Sequence, residues 1–132
     1  RSRGATVTDV AAILEKRDAL LLDARAPERY RGEVEPIDRV AGHIPGAVNY
    51  PFLRNVDERG QLKPAETLRS QLATALGATP PDRVVCYCGS GVTACLNVIA
   101  LEHAGLHGVK IFPGSWSEWS ADSTRPVATT ED

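Results

Sequence analysis

The stretch Cys88-Gly89-Ser90-Gly91-Val92-Thr93 lies between an apolar run, Val84-Val85-Cys86-Tyr87, and a helical pattern, Ala94 to Ala104. Backbone N–H groups of a glycine-rich turn at such a junction can converge on one centre. The N-terminus of the following helix adds positive potential. Both effects favour thiolate over thiol. A cysteine with an ordinary pKa of about 8.5 is more acidic in such settings, and the thiolate is the reactive form. Cys88 is therefore the candidate nucleophile. Gly89, Ser90, Gly91, Val92 and Thr93 are expected to surround it with amide donors, a nest that stabilises an anion without a cationic side chain. Ser90 reads equally as a proton donor and as a helix cap, whereas Thr93, at the helix start, reads as the cap. The plainer alternatives are a buried apolar cysteine in an ordinary tight turn.

The other chemistry-bearing residues read as structural. Cys86 alternates with Tyr87 and so shares a strand face with Cys88; core burial is nevertheless expected for it. Cys95, on the helix, is expected to be packed as well. Three cysteines are too few for a disulfide scaffold and fit a reducing compartment, so a cytoplasmic location is expected. Cys86 and Cys88 lack the C-x-x-C spacing. His103 and His107 are separated by Gly105 at a helix end. No metal site and no organic cofactor are expected. Arg25, directly after a strand, reads as half of an ion pair. His43 reads as a turn organiser, and Trp116 and Trp119 read as core or rim packing.

These residues need a scaffold. Thr8 or Asp9 can cap a helix through Val10, Ala11 and Leu14. Ala19-Leu20-Leu21-Leu22-Asp23 suits a strand buried on both faces. Pro27 opens a short helical turn, Glu28 to Arg31. An irregular stretch from Gly32 to Gly46 leads to a second strand, Ala47 to Tyr50. Pro64 starts a helix with Leu68, Leu72 and Leu76 on one face, ended by Gly77. Arg83 to Tyr87 is the third strand and Val109 to Phe112 the fourth. Ser115 to Trp119 forms a short helix. The helix from Ala94 is apolar on more than one side and is expected to be central. This alternation predicts an α/β fold, a largely parallel sheet with helices on both faces, whose site lies at the carboxyl ends of the strands.

The chain has 132 residues, 42% hydrophobic and 24% charged, with a formal net charge of −2. Its size fits one domain, assigned to residues 1–120, followed by a polar tail, 121–132. The charge gives no case for nucleic acid or an anionic membrane, and no apolar run could span a bilayer. There is no methionine. A piece of a longer protein is expected on that ground.

Five segments resemble, in order, the rhodanese family of sulfurtransferases: Leu22-Asp23-Ala24-Arg25, Arg29-Tyr30-Arg31-Gly32, Gly42 to Asn49, the loop at 88–93, and Gly114-Ser115-Trp116-Ser117-Glu118-Trp119. The similarity runs from about Val7 to Trp119 and is greatest to the catalytic C-terminal domain of two-domain members. It implies a five-stranded, mainly parallel sheet. The fifth strand is expected near Val7. Members with Gly-Ser-Gly after the cysteine use 3-mercaptopyruvate, whereas thiosulfate users carry cationic side chains there. The resemblance assigns the donor carboxylate to Arg29 and, with a spacing one residue too long, to Arg39. From the residues alone, Arg29 could equally be a surface arginine paired with Glu28 or Glu33.

The resemblance thus implies sulfane sulfur moved from 3-mercaptopyruvate, through a persulfide on Cys88, to a thiol such as thioredoxin or to cyanide. Histidine and aspartate partners of Ser90 would lie in an N-terminal rhodanese-like domain outside this chain. Thiosulfate:cyanide transfer is the alternative donor reading. A noncatalytic interaction or sulfur-carrier module is the alternative from another class. Cysteine-dependent phosphatases of similar shape place an anion-clamping arginine six residues after the cysteine. That position is Ala94 here, which argues against phosphoryl chemistry.

Overall fold

The structure is a computed structural model that describes residues 4–16, 18–89 and 93–129. Helix α1 (Val7–Lys16) precedes strand β1 (Leu20–Asp23), α2 (Pro27–Tyr30), β2 (Val48–Asn49), α3 (Ala65–Leu76), β3 (Val84–Tyr87), α4 (Ala94–His103), β4 (Lys110–Ile111) and α5 (Ser115–Ala121). Short 3-10 turns at Phe52–Asn55 and Pro81–Arg83 complete the order. The strands pair in parallel in the order β2-β1-β3-β4.

Period-two alternation sorts the strand side chains onto two faces. Leu22 of β1 and Val84 and Cys86 of β3 join Leu68, Leu72 and Leu76 of α3 and Ala100 and Leu101 of α4. Leu21, Val85 and Tyr87 face the other way, onto Val10, Tyr30, Ile44, Trp116 and Trp119. Each fully buried leucine contributes about 1.5–3 kcal/mol of transfer free energy, so the three of α3 anchor that helix. Of the core or rim packing expected for Trp116 and Trp119, both take the core.

Among the described residues, the expected fifth strand is a single bridge. Gly4 pairs in parallel with Ile111, and the Ala5 N–H donates to the Ile111 carbonyl at 2.7 Å. The sheet has four strands among the described residues. The cap of α1 also differs from expectation. Thr6 Oγ1 accepts the Asp9 N–H at 3.1 Å, and Asp9 Oδ2 accepts the Thr6 N–H at 2.8 Å. This is a reciprocal capping box one turn ahead of the apolar residues. Thr93 makes no side-chain capping bond and has helical dihedrals, so its predicted cap role is not seen.

Helix α4 is less central than its composition suggests. Leu96 and Ile99 are 40% and 53% exposed, and Cys95 is exposed too, contrary to the packing expected for it. Only one side of α4 meets the sheet and α3. Apolar composition without a clear period carries no information about which sides are covered.

The polar segment after α5 folds back onto the domain. His43 and Ala128 exchange backbone hydrogen bonds at 2.8 and 2.9 Å, and Trp119 Nε1 donates to the Pro126 carbonyl. Gly42 permits this approach. Its φ is +130°, and an added Cβ would lie 2.6 Å from the Ala128 oxygen.

Candidate active site

The chain passes from β2 to β3 across β1, so the order of strands reverses between β1 and β3. Crevices at such switch points, outside the carboxyl ends, are where open α/β sheets bind ligands. Cys88 is the first residue after β3, beside Ala24 and Arg25, which follow β1. The Ala24 N–H donates to the Tyr87 carbonyl at 2.9 Å, which ties the two ends together.

The start of α5 grips the Cys88 turn. The Trp116 N–H donates to the Cys88 carbonyl and the Ser117 N–H to the Gly89 carbonyl, each at 2.9 Å. The Cys88 N–H donates to Ser115 Oγ at 3.0 Å. Cys88 is buried, 1% exposed, on the same sheet face as Cys86.

Arg29 lies over this turn. An added Cβ at Gly89 would stand 3.2 Å from Arg29 Nη2 and 3.4 Å from Nη1, so glycine there lets the guanidinium sit directly on the backbone. Arg29 Nη2 donates to Glu35 Oε2 at 3.0 Å, and Asp38 Oδ2 lies 3.8 Å away. Arg29 Nε is buried and has no hydrogen-bond partner among the described residues. Behind it, Arg25 donates from Nε, Nη2 and its backbone N–H to the Asp23 carboxylate and from Nη2 to the Gly42 carbonyl at 2.6 Å, with its guanidinium 4.9 Å from the centre of the Trp116 ring. Three carboxylates and two guanidiniums thus share the space beside the Cys88 turn.

Burial pushes the Glu35 carboxyl upward. The N–H groups of Asp38 and Ile37 and the Arg29 guanidinium outweigh burial and hold it below the ordinary carboxylate value. A depressed folded-state pKa contributes stability that is complete above the unfolded value of about 4.5 and is lost as pH falls through the folded value. Unfolding midpoints followed below pH 5 should drop less steeply in Glu35→Gln than in the parent chain. Identical slopes would remove Glu35 from the acid response.

None of the three cysteines is in a disulfide. Burial, with smaller contributions from Cys88 and Cys95, pushes the Cys86 thiol up to about 12. Cys86 is therefore inert near neutral pH. Brief iodoacetamide treatment of the folded protein should label exposed Cys95 and leave Cys86 unlabelled, as read by peptide mass mapping. Early labelling of Cys86 would contradict this burial.

The sequence-predicted residues divide as follows. Cys88, Gly89 and Arg29 come together. Ser90, Gly91 and Val92 lie outside the described residues. Thr93 is half-buried at the start of α4. Arg39 sends Nη1 to the Ser120 carbonyl at 3.0 Å, at the end of α5. Arg25 forms the expected structural pair. His43 is buried, stacks on Tyr30 with ring centres 3.7 Å apart, and donates from Nδ1 to the Tyr30 carbonyl, which holds the turn. Sequence reasoning missed Glu35, Asp38 and Ser115 as neighbours of the site. The one local signal for Ser115 was its place directly after the Pro113-Gly114 turn.

This site and fold define a rhodanese-type domain with a cysteine at the switch point, and the chain belongs to that family: the rhodanese-like domain matches residues 6–122. A probable 3-mercaptopyruvate sulfurtransferase of Pseudomonas aeruginosa is 54% identical over 109 residues, covering 83% of this chain and 38% of that protein. A putative thiosulfate sulfurtransferase of Mycobacterium tuberculosis is 51% identical over 107 residues, covering 81% of this chain and 37% of that protein. The crystal structure of the Tum1 protein of Saccharomyces cerevisiae superposes with a TM-score of 0.83 at 28% identity, over 97% of this chain and 47% of that one. The chain spans less than half the length of these relatives. No helix among the described residues is long and apolar enough to cross a membrane.

Proposed function

We propose that this domain is a sulfurtransferase that takes sulfur from 3-mercaptopyruvate and carries it as a persulfide on Cys88. The observation that supports this most is the meeting of Cys88, at the carboxyl end of β3, with Arg29, whose guanidinium lies against Gly89 and whose Nε has no partner among the described residues. In the first half-reaction the Cys88 thiolate attacks the donor sulfur. An S–S bond forms, the donor C–S bond breaks, and its electron pair leaves with the pyruvate enolate, which takes up a proton. In the second, an acceptor thiolate or cyanide attacks the outer sulfur and Cys88 leaves as thiolate. No net oxidation occurs, and ping-pong kinetics follow. Arg29 holds the donor carboxylate, displacing or sharing Glu35 and Asp38. Arg39 is the second candidate for that carboxylate, once released from Ser120.

Ser90, Gly91, Val92 and Thr93 complete the amide cradle in this proposal, with Ser90 relaying the proton. A second rhodanese-like domain of a longer protein completes the pocket, a reading supported by the share of the relatives that this chain spans. Thioredoxin or another small thiol is the proposed acceptor, and the cytoplasm the proposed location. Thiosulfate is the second donor reading, favoured by the fixed cation directly beside the Cys88 turn.

The test compares steady-state rates with the two donors, for the parent and for Arg29→Ala. Loss of a charge-assisted contact is worth about 1.5–3 kcal/mol. kcat/KM for 3-mercaptopyruvate should therefore fall roughly 10- to 100-fold with little change in thermal stability. Unchanged kcat/KM in Arg29→Ala would defeat the carboxylate assignment, and thiosulfate turnover exceeding mercaptopyruvate turnover would reverse the choice of donor.

A further inference from the structure

Ser115 is the single residue other than glycine with a positive φ, +55°, among the described residues. Such backbone costs free energy in a residue with a Cβ and persists only where the surroundings impose it, most often at functional sites. Ser115 is fully buried and follows the Pro113-Gly114 turn at the head of α5. The strain places its hydroxyl against the candidate nucleophile. Ser115 Oγ accepts the Cys88 N–H at 3.0 Å and lies 4.0 Å from Cys88 Sγ and 2.9 Å from the Phe112 carbonyl oxygen. A hydroxyl has one proton and two lone pairs. One lone pair is used by the Cys88 amide, so the proton must choose between the Phe112 oxygen and the sulfur.

We propose that Ser115 is a positioning residue for Cys88, whose hydroxyl anchors the cysteine backbone and turns its single proton from the Phe112 carbonyl to the sulfur when the sulfur carries charge. This rests on the reading of Cys88 as the nucleophile. The anchor explains why α5 starts where it does. The strained residue brings Oγ to the Cys88 amide, and the next two N–H groups then reach the Cys88 and Gly89 carbonyls. The switch follows from charge. A thiolate is a stronger acceptor than a neutral carbonyl, and a hydrogen bond to an ionised acceptor is roughly twice as strong as a neutral one. No atom is transferred; a hydroxyl rotates. Among the described residues, the titratable and charged groups around the Cys88 turn are the Cys86 thiol, Arg29 with Glu35 and Asp38, and Arg25 with Asp23, and all are unchanged by substitution at 115.

The experiment uses a Cys95→Ser background, so that Cys88 is the thiol that reports. Cys86, with its thiol pushed up to about 12, stays silent. The rate of iodoacetamide alkylation of Cys88 is followed against pH, by intact mass, for the parent, Ser115→Ala and Ser115→Gly. Glycine accepts φ +55° without strain, so Ser115→Gly removes the hydroxyl while relaxing the backbone. The expected result is slower alkylation at neutral pH, about 5-fold or more in both variants. The rates should converge with the parent as pH rises, and Ser115→Gly should keep its unfolding midpoint. A folded Ser115→Gly with the parental pH profile overturns the proposal. So does failure of both variants to fold, which would assign Ser115 to the scaffold alone. Treatment of the same proteins with 3-mercaptopyruvate separates the two readings. A parent that never gains a sulfur atom ends the sulfurtransferase reading, while the alkylation profile still decides the role of Ser115.

Discussion

Cys88→Ser is expected to abolish sulfur transfer, lowering turnover by more than about 10³-fold, the scale on which loss of an enzymatic nucleophile acts. A hydroxyl is a far weaker nucleophile and cannot hold a persulfide, so no residual route remains through this site. The substitution is close to isosteric at a buried position, and the Cys88 carbonyl and N–H keep their bonds to Trp116 and Ser115. The variant should therefore fold with a nearly unchanged unfolding midpoint. Two measurements check this. Donor turnover should vanish in Cys88→Ser and survive in Cys95→Ser. Intact-mass analysis after donor treatment should show one added sulfur in the parent and none in Cys88→Ser. Sulfur found on Cys95 with Cys88 intact would move the chemistry to a different residue.

Arg25→Ala is expected to be the most destabilising of the single substitutions discussed. Arg25 is 2% exposed, and its removal strands the buried Asp23 carboxylate and the Gly42 carbonyl while emptying the face of Trp116. Breaking a buried ion pair from one side costs about 3–5 kcal/mol, because the remaining charge has no compensation. Domains of this size have about 5–15 kcal/mol in total, so the unfolding midpoint should fall on the order of 10 °C. Arg31→Ala is the control. Its pair with Glu33 is solvent-exposed, and its loss should cost less than about 1 kcal/mol. Urea unfolding of both variants decides the matter: similar losses would show that the Arg25 network is not a structural anchor. Activity should fall in Arg25→Ala as well, since Glu35 is shared between Arg25 and Arg29.

Several readings were legible because they depend on neighbours in the chain. The leucines of α3 at 68, 72 and 76 announce a helix face, and Pro64 and Gly77 mark its ends. Continuous apolar runs at 20–23 and 84–87 announce strands covered on both sides. The role of Arg25 beside Asp23 was readable from its place at the end of a strand. Other readings failed for want of a local signal. The α1 cap lay at Thr6 because two side chains reach back to each other's amides. Cys95 and its neighbours Leu96 and Ile99 stayed outside because only one side of α4 is covered. The polar residues after α5 carried no signal of their partner, and Ala128 pairs with His43, a contact between distant parts of the chain.

By itself the sequence determined the alternation of helix and strand and the placing of a cysteine on a glycine-rich turn after a buried strand. Periodicity and turn preferences act over a few residues, and they carry that much. The tertiary structure alone decided what surrounds the sulfur. The order β2-β1-β3-β4 sets the ends of β1 and β3 side by side, which lays Arg29 over Gly89. The start of α5 then delivers a strained serine from 27 positions away to the Cys88 amide. Those meetings are set by which strands pair and which helices cover them, and that choice depends on burial across the whole domain.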